Sequence, residues 1–533
     1  MTRHRIRVLL GAAALLALPI QPGARADAGV QPPTPKVIEE VDFAISCGPA
    51  AQKTFKHAVW TLHSFWYPVA LKEFTAVTEA EPGCAMGYWG IAMSHWYPLW
   101  FPPSAASLKA GSAAVEKAMA APTQTDRERA YIAAIAVFYR DSDKLDHHTR
   151  AVAYEKAMEQ VYLRYPEDRE AAVFYALALN ATALPTDKTY ANKRKAAQIL
   201  NKIWAEEPNH PGVVHYLIHS DDSPQFAEAG LAAAICYAKI APDVPHALHM
   251  PSHIFTRLGM WQESIDSNRA AVAAGGHDVH SMDYLEYAYL QTAQDHKAKE
   301  VVDELVSFRP SGEANLPTAY AVAAIPVRFA LERRDWKAAA ALSEPAIGFP
   351  FERFPWAEAM ISFARALGAA HTGDAAGAQA EITKLQSLED KLLAAKDAYW
   401  ANQVKVQRLG ASGILAQIQG DDKKAVELVR AAADLEATMD KSPATPAAVY
   451  PARELLADLL LELNRPDAAL KEYEQVLRTD PNRFRSLLGK ARAAKQSGDA
   501  ATSREAYQKL VALSKSAGSE RPELAEAKAF PTN

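Results

Sequence analysis

A spacing of 34 residues constrains this chain more than any other feature. The small residues Ala196, Gly230, Ser264 and Ala298 recur at that interval, as do Pro208 and Pro242, with Pro310 two intervals further on. From about Val41 onward the chain is Ala-rich, with apolar residues recurring about every 3.6 positions and few of the β-branched alternations that mark strands. A period of this length belongs to stacked helical units, none of which can bury its apolar face alone. Small residues fit where the two helices of a unit touch, and a proline past the second helix stops it from continuing.

The interval is that of tetratricopeptide repeats, which predicts an all-α fold, a tetratricopeptide-type α-solenoid of antiparallel helix pairs. Ala70, Phe74 and Pro82 keep the same internal frame, and Ala469, Tyr473 and Val476 are followed 34 residues later by Ser503, Tyr507 and Leu510. Between Pro82 and Pro208 the interval breaks, so inserted loops such as 183–190 are expected there. The expected organisation is a signal peptide over 1–26, a flexible leader over 27–40 and a histidine-bearing solenoid over 41–310. Degenerate helical repeats over 311–445, a repeat pair over 446–515 and a tail over 516–533 follow.

Charge excludes one class of partner. Lys plus Arg number 58 against 63 Asp plus Glu, so no cationic excess is available for a phosphate backbone and nucleic acid is not expected. The single apolar run that looks membrane-bound, Val8 to Ile20, follows Arg3, Arg5 and Arg7 and precedes an Ala24-Arg25-Ala26 cleavage pattern, which reads as an export signal with a mature start at Asp27. A periplasmic or secreted protein with no membrane span after cleavage is the expectation. Three cysteines exclude a disulfide framework and any Cys-rich metal module. In an oxidising compartment Cys47 and Cys84 can pair while Cys236 stays a buried thiol; two small core residues are the alternative.

Histidine placement carries the chemistry. Eight of the 16 histidines fall between His210 and His280. His215 and His249, His219 and His253, and His246 and His280 each differ by 34, so they stack in neighbouring first helices, the helices expected to line the concave groove. Continuing two of these rows gives Asp283 and Tyr287. Within helices His215 and His219 are four apart, His246 and His249 three, and His249 and His253 four, spacings that put imidazoles on one face. Pro251 should bend the helix between His249 and His253, and His210 should cap the helix that Pro211 begins. The corresponding C-terminal positions, Pro451, Glu454, Asp458, Arg485, Leu488 and Arg492, hold no histidine, so the lattice is not a habit of the scaffold.

Other features are weaker. His63 ends an expected groove helix, His95 lies nearby, and Met86, Trp89, Met93 and Trp96 lead into an aromatic run through Trp100 and Phe101. That run reads as a cap on the solenoid end or as a pocket wall. Asp221 and Asp222, followed by Ser223 and Pro224, read as a solvated turn. No phosphate-binding loop, nucleophile elbow, paired-cysteine or His-Glu-x-x-His motif occurs.

The strings Leu62-His63-Ser64-Phe65-Trp66-Tyr67, Cys84-Ala85-Met86-Gly87-Tyr88-Trp89-Gly90 and Ala247-Leu248-His249-Met250-Pro251-Ser252-His253-Ile254-Phe255 resemble a group of exported bacterial tetratricopeptide proteins. The resemblance spans nearly the whole mature chain and implies the fold and export, with no activity attached.

Together these features point to a transition metal, namely copper, zinc or iron, held by His215, His219, His246, His249 and His253, with His280 and Asp283 as further inner or outer groups. His63, His95, His210 and Tyr287 are secondary candidates. An open coordination position, and with it catalysis on a small molecule, is compatible with the donor set. The competing class is an adaptor that binds a peptide or protein in the groove without metal.

Overall fold

The computed structural model describes residues 35–99, 102–122, 125–275, 278–309, 314–518 and 521–530. Among them there is no β-strand. Twelve antiparallel helix pairs follow one another from Pro49–His63 with Tyr67–Ala80 to Phe484–Gln496 with Ala500–Leu513. The fold class is the all-α solenoid that the 34-residue interval predicts.

The interval has a packing cause. Ala196, Ser264 and Ala298 are completely buried, and Gly230 is buried with them, each on the second helix of its pair. Phe74 and Tyr473 project from second helices onto glycines sixteen positions later in the next first helix: a Cβ on Gly90 would lie 2.1 Å from Phe74, and one on Gly489 2.1 Å from Tyr473. Each aromatic ring thus occupies the place of a missing side chain, which lets the next first helix pack closely against it. Truncating either ring to Ala would cost about 3–5 kcal/mol.

Three local expectations meet the structure differently. The leader's described end is anchored, with Lys36 N donating to Asn209 Oδ1 at 2.7 Å. The last segment is not simply a tail, because Pro522–Ala529 forms a helix that buries Leu524 and Ala527. Arg521 Nε donates to Asp295 Oδ2 at 2.9 Å, tying that helix to the central repeats. Cys47 and Cys84 form a disulfide, and Cys236 is a buried thiol. The expected signal peptide, Trp100 and Phe101 lie outside the described residues. No described helix is long and apolar enough to cross a membrane.

The concave side is closed rather than open. The connection 437–451 crosses it: Asp440 N donates to Pro185 O at 2.8 Å, Tyr284 Oη donates to Thr445 O at 2.9 Å and Tyr320 Oη to Ala447 O at 2.7 Å. The C-terminal pairs add Trp261 Nε1 donating to Asn482 O at 2.9 Å and Phe484 N donating to Gln291 Oε1 at 2.8 Å. Chain from the C-terminal part of the sequence therefore roofs the central repeats.

Candidate metal centre

Three first helices carry the histidines. His215 and His219 lie on Pro211–Asp221, His246 and His249 on Pro245–His249, His253 on Pro251–Leu258, and His280 on Val279–Gln291. Pro211 starts its helix, and His210 caps it by accepting from Val213 N at 3.3 Å, as expected. Pro251 has no N–H to give Ala247, and the helix divides at Met250, between His249 and His253, with Met250 itself at helical dihedrals, φ -53° and ψ -35°.

The six histidines form two groups of three rather than one. His215, His219 and His246 bring one ring nitrogen each within 4.8 Å of one another, and so do His249, His253 and His280. Adding 34 to each member of the first group gives the second. His215 Nε2 is 3.1 Å from the Nε2 of both His219 and His246, and His249 Nε2 is 3.1 Å from His253 Nε2. Ring centroids of the two groups come as close as 6.0 Å between His219 and His253, and 6.2 Å between His246 and His249. The expected groove surface is in fact an interior: relative exposure is 0% for His215 and His253, 1% for His249, 4% for His219 and 8% for His280, with His246 half-buried at the edge.

The outer nitrogens are committed to acceptors. His215 Nδ1 donates to the His63 carbonyl at 2.6 Å, and His253 Nδ1 donates to Asp222 Oδ2 at 3.1 Å. His249 Nδ1 donates to Asn268 Oδ1 at 2.6 Å, the amide being oriented by its own donation to Ser264 O at 2.7 Å. Since a neutral imidazole carries one proton, Nε2 of all three presents a lone pair inward. Neither ring nitrogen of the buried His280 has a hydrogen-bond partner. Burial pushes His215 down to about 3 against its bond to the His63 carbonyl, and pushes His219, His246, His249 and His280 well below the usual imidazole range. Burial also lowers His253, with Asp222 opposing. The imidazoles are neutral, the form that ligates.

Asp222 is the residue sequence reasoning missed. It is no solvated turn but 4% exposed, receiving His253 Nδ1, Arg257 Nε at 2.8 Å and Lys441 Nζ at 2.8 Å. Burial opposes its charge, and Lys441 and Arg257 overcome that, holding the carboxyl well below its ordinary range. Asp221 is buried too and pushed up to about 7 by desolvation. A cavity of about 410 Å³ shares Arg257, Lys441 and Thr445 with this shell and is walled by Tyr320, Tyr399 and Trp400.

The remaining candidates stand elsewhere. Asp283 is paired with the fully buried Arg328, and it is not among the converging ligand atoms. Tyr287 Oη accepts from Arg483 Nη1 at 3.1 Å in a separate polar cluster around Glu454. His95 caps the helix Ala85–Ser94, away from both groups. Trp89 and Trp96 are buried in the core. His63 and His210 converge on Glu170, at 2.8 Å to Oε2 and Oε1. Every ring nitrogen of that third cluster is engaged, His63 Nδ1 by Tyr216 Oη at 2.9 Å and His210 Nδ1 by Val213 N, so it is a closed hydrogen-bond network. The second triad differs from it in aiming the lone pairs of His249 and His253 at each other, and the first in turning the lone pair of His215 inward.

Residues 450–483 match the tetratricopeptide repeat family model. The chain is an all-α tetratricopeptide-type solenoid. No curated protein matches it. Solved structures with similarity include the APC/C hetero-tetramer Cut9-Hcn1, at 12% identity over 90% of this chain and 97% of that one, TM-score 0.31. A tetratricopeptide repeat protein from Parabacteroides merdae gives 11% identity over 69% and 100%, TM-score 0.24. The human IFIT1 dimer with PPP-AAAA gives 13% over 89% and 96%, TM-score 0.36. At scores this low these neighbours lend the chain neither an activity nor a partner.

Proposed function

We propose that this is an exported solenoid whose central repeats hold two transition-metal ions, one in each histidine triad. The observation that carries this reading is the pair His249 and His253. Both Nδ1 protons are given to acceptors, so two bare Nε2 lone pairs face each other at 3.1 Å in a buried site. Two acceptors at hydrogen-bond distance repel unless a cation lies between them. With metal–nitrogen bonds of ~2.0–2.1 Å, a 3.1 Å nitrogen separation corresponds to an angle of roughly 98° at the ion. The same separation recurs twice around His215. Three ligands at such angles leave a coordination position open for a small molecule. The carboxylate behind His253 and the amide behind His249 are the kind of outer partners that orient ligating imidazoles.

A scaffold that binds peptides or proteins is the general use of such solenoids, and the outer surface remains available for it. The roofed interior supports the metal reading over a peptide in the groove. Elemental analysis of protein purified from the exported fraction tests it: two equivalents of one transition metal per chain are expected, with Asp27 as N-terminus by mass spectrometry. Protein that carries no metal and takes up neither copper, zinc nor iron would refute it.

A further inference from the structure

The metal and its reaction follow from charge, resting on the reading of the triads as metal sites. All six ring donors are neutral, and no carboxylate joins either group of converging atoms. The nearest carboxylate, Asp222, already faces Arg257 and Lys441, and Asp283 faces Arg328. Lys193 is also half-buried nearby, its Nζ donating to the Asp222 carbonyl at 3.1 Å. The surroundings therefore supply no net negative charge to offset divalent ions in a dry interior. Coulomb repulsion scales with the product of the charges, so two dications in neighbouring triads repel four times as strongly as two monocations. Three imidazoles with no thiolate and no carboxylate suit zinc, copper, iron or nickel, and of these copper is the one with an ordinary monovalent state, which carries the smaller charge.

Packing isolates the pair. Phe65 lies against the first triad, with centroids 4.4 Å from His215, 5.6 Å from His246 and 6.0 Å from His219. Tyr284 does the same for the second, at 4.8 Å from His253, 5.0 Å from His249 and 5.4 Å from His280.

We infer that the two triads hold a pair of cuprous ions that bind one dioxygen molecule between them. Each copper(I) gives up one electron and becomes copper(II), the dioxygen gains both electrons and becomes a bridging peroxide dianion, and no proton is needed. Release of dioxygen reverses the step. The dianion also supplies the negative charge that the protein shell lacks.

The test loads the full-length mature protein anaerobically with two equivalents of copper(I) and admits dioxygen. One dioxygen should be taken up per two coppers, with both coppers oxidised by X-ray absorption and no copper(II) EPR signal, since the paired spins couple. His280→Ala should bind a single copper and, once oxidised, show an ordinary copper(II) signal. His246→Ala, at the half-buried position of its triad where folding is least at risk, should do the same from the other triad. Two separate copper(II) signals from the wild type, no dioxygen uptake, or uptake of two zinc ions with no copper(I) bound would each overturn the inference while leaving two metal sites in place. A protein that binds no metal would instead overturn the reading on which it rests.

Discussion

Lys441 Nζ sits 2.8 Å from Asp222 Oδ2, joining the connection that roofs the concave side to the carboxylate that holds His253. The two residues are 219 positions apart, so closing the solenoid and orienting a candidate ligand are one event. Asp222→Asn removes the charge while keeping the shape. Metal affinity should fall about 10–100-fold in competition with a chelator, and the buried cations left behind should lower stability by about 3–5 kcal/mol in urea unfolding. Unchanged affinity would show that Asp222 serves the roof alone.

Pro251 stands between two ligands and denies Ala247 a backbone partner. Pro251→Ala restores an N–H there, so the thermal midpoint of the metal-free protein should hold or rise. Metal affinity should drop at the same time, because displacing a ligand nitrogen by about 1 Å spoils the shared sphere. Equal metal affinity in the variant would make the proline a structural feature only.

How much of this was legible in the sequence depends on range. The 34-residue rows are local information, and they name the six histidines that the structure brings together. They do not show that the six divide into two threes, because that depends on His246 reaching the helix of the preceding repeat. Asp222 was illegible for a different reason: Asp-Asp-Ser-Pro has turn chemistry, and its partners Arg257 and Lys441 arrive through folding. Row continuation also misplaced Asp283, since an identical register does not fix a side chain that finds Arg328 on the first helix of the next pair. His63 was legible only as a position, whereas its contribution is a carbonyl to His215.

Acid should destabilise the metal-free protein. Burial, helped by Arg150 and Arg334, pushes His147 and His371 down to about 4. A folded value below the unfolded ~6.5 means the unfolded chain binds protons first. Their contribution is complete above about pH 6.5 and is lost as pH falls toward 4, with His215, near 3, extending the loss lower. Urea midpoints measured from pH 7.5 to 4 should decline, and less steeply in His371→Gln. A flat profile would contradict the burial of these rings in neutral form.

The Cys47–Cys84 disulfide closes a loop of 37 residues. On chain entropy alone such a loop stabilises by about 4 kcal/mol, so reductant or a Cys47→Ser, Cys84→Ser double variant should lower the melting temperature by several degrees. Exported protein in which both cysteines react with a thiol reagent would contradict an oxidised mature state.

Anomalous diffraction from crystals of the copper-loaded protein tests the central claim most directly. Two peaks at the copper edge are expected, one about 2.0–2.1 Å from ring nitrogens of His215, His219 and His246 and one at the same distance from His249, His253 and His280. A single peak between His63, Glu170 and His210, or no peak at the triads, would contradict it.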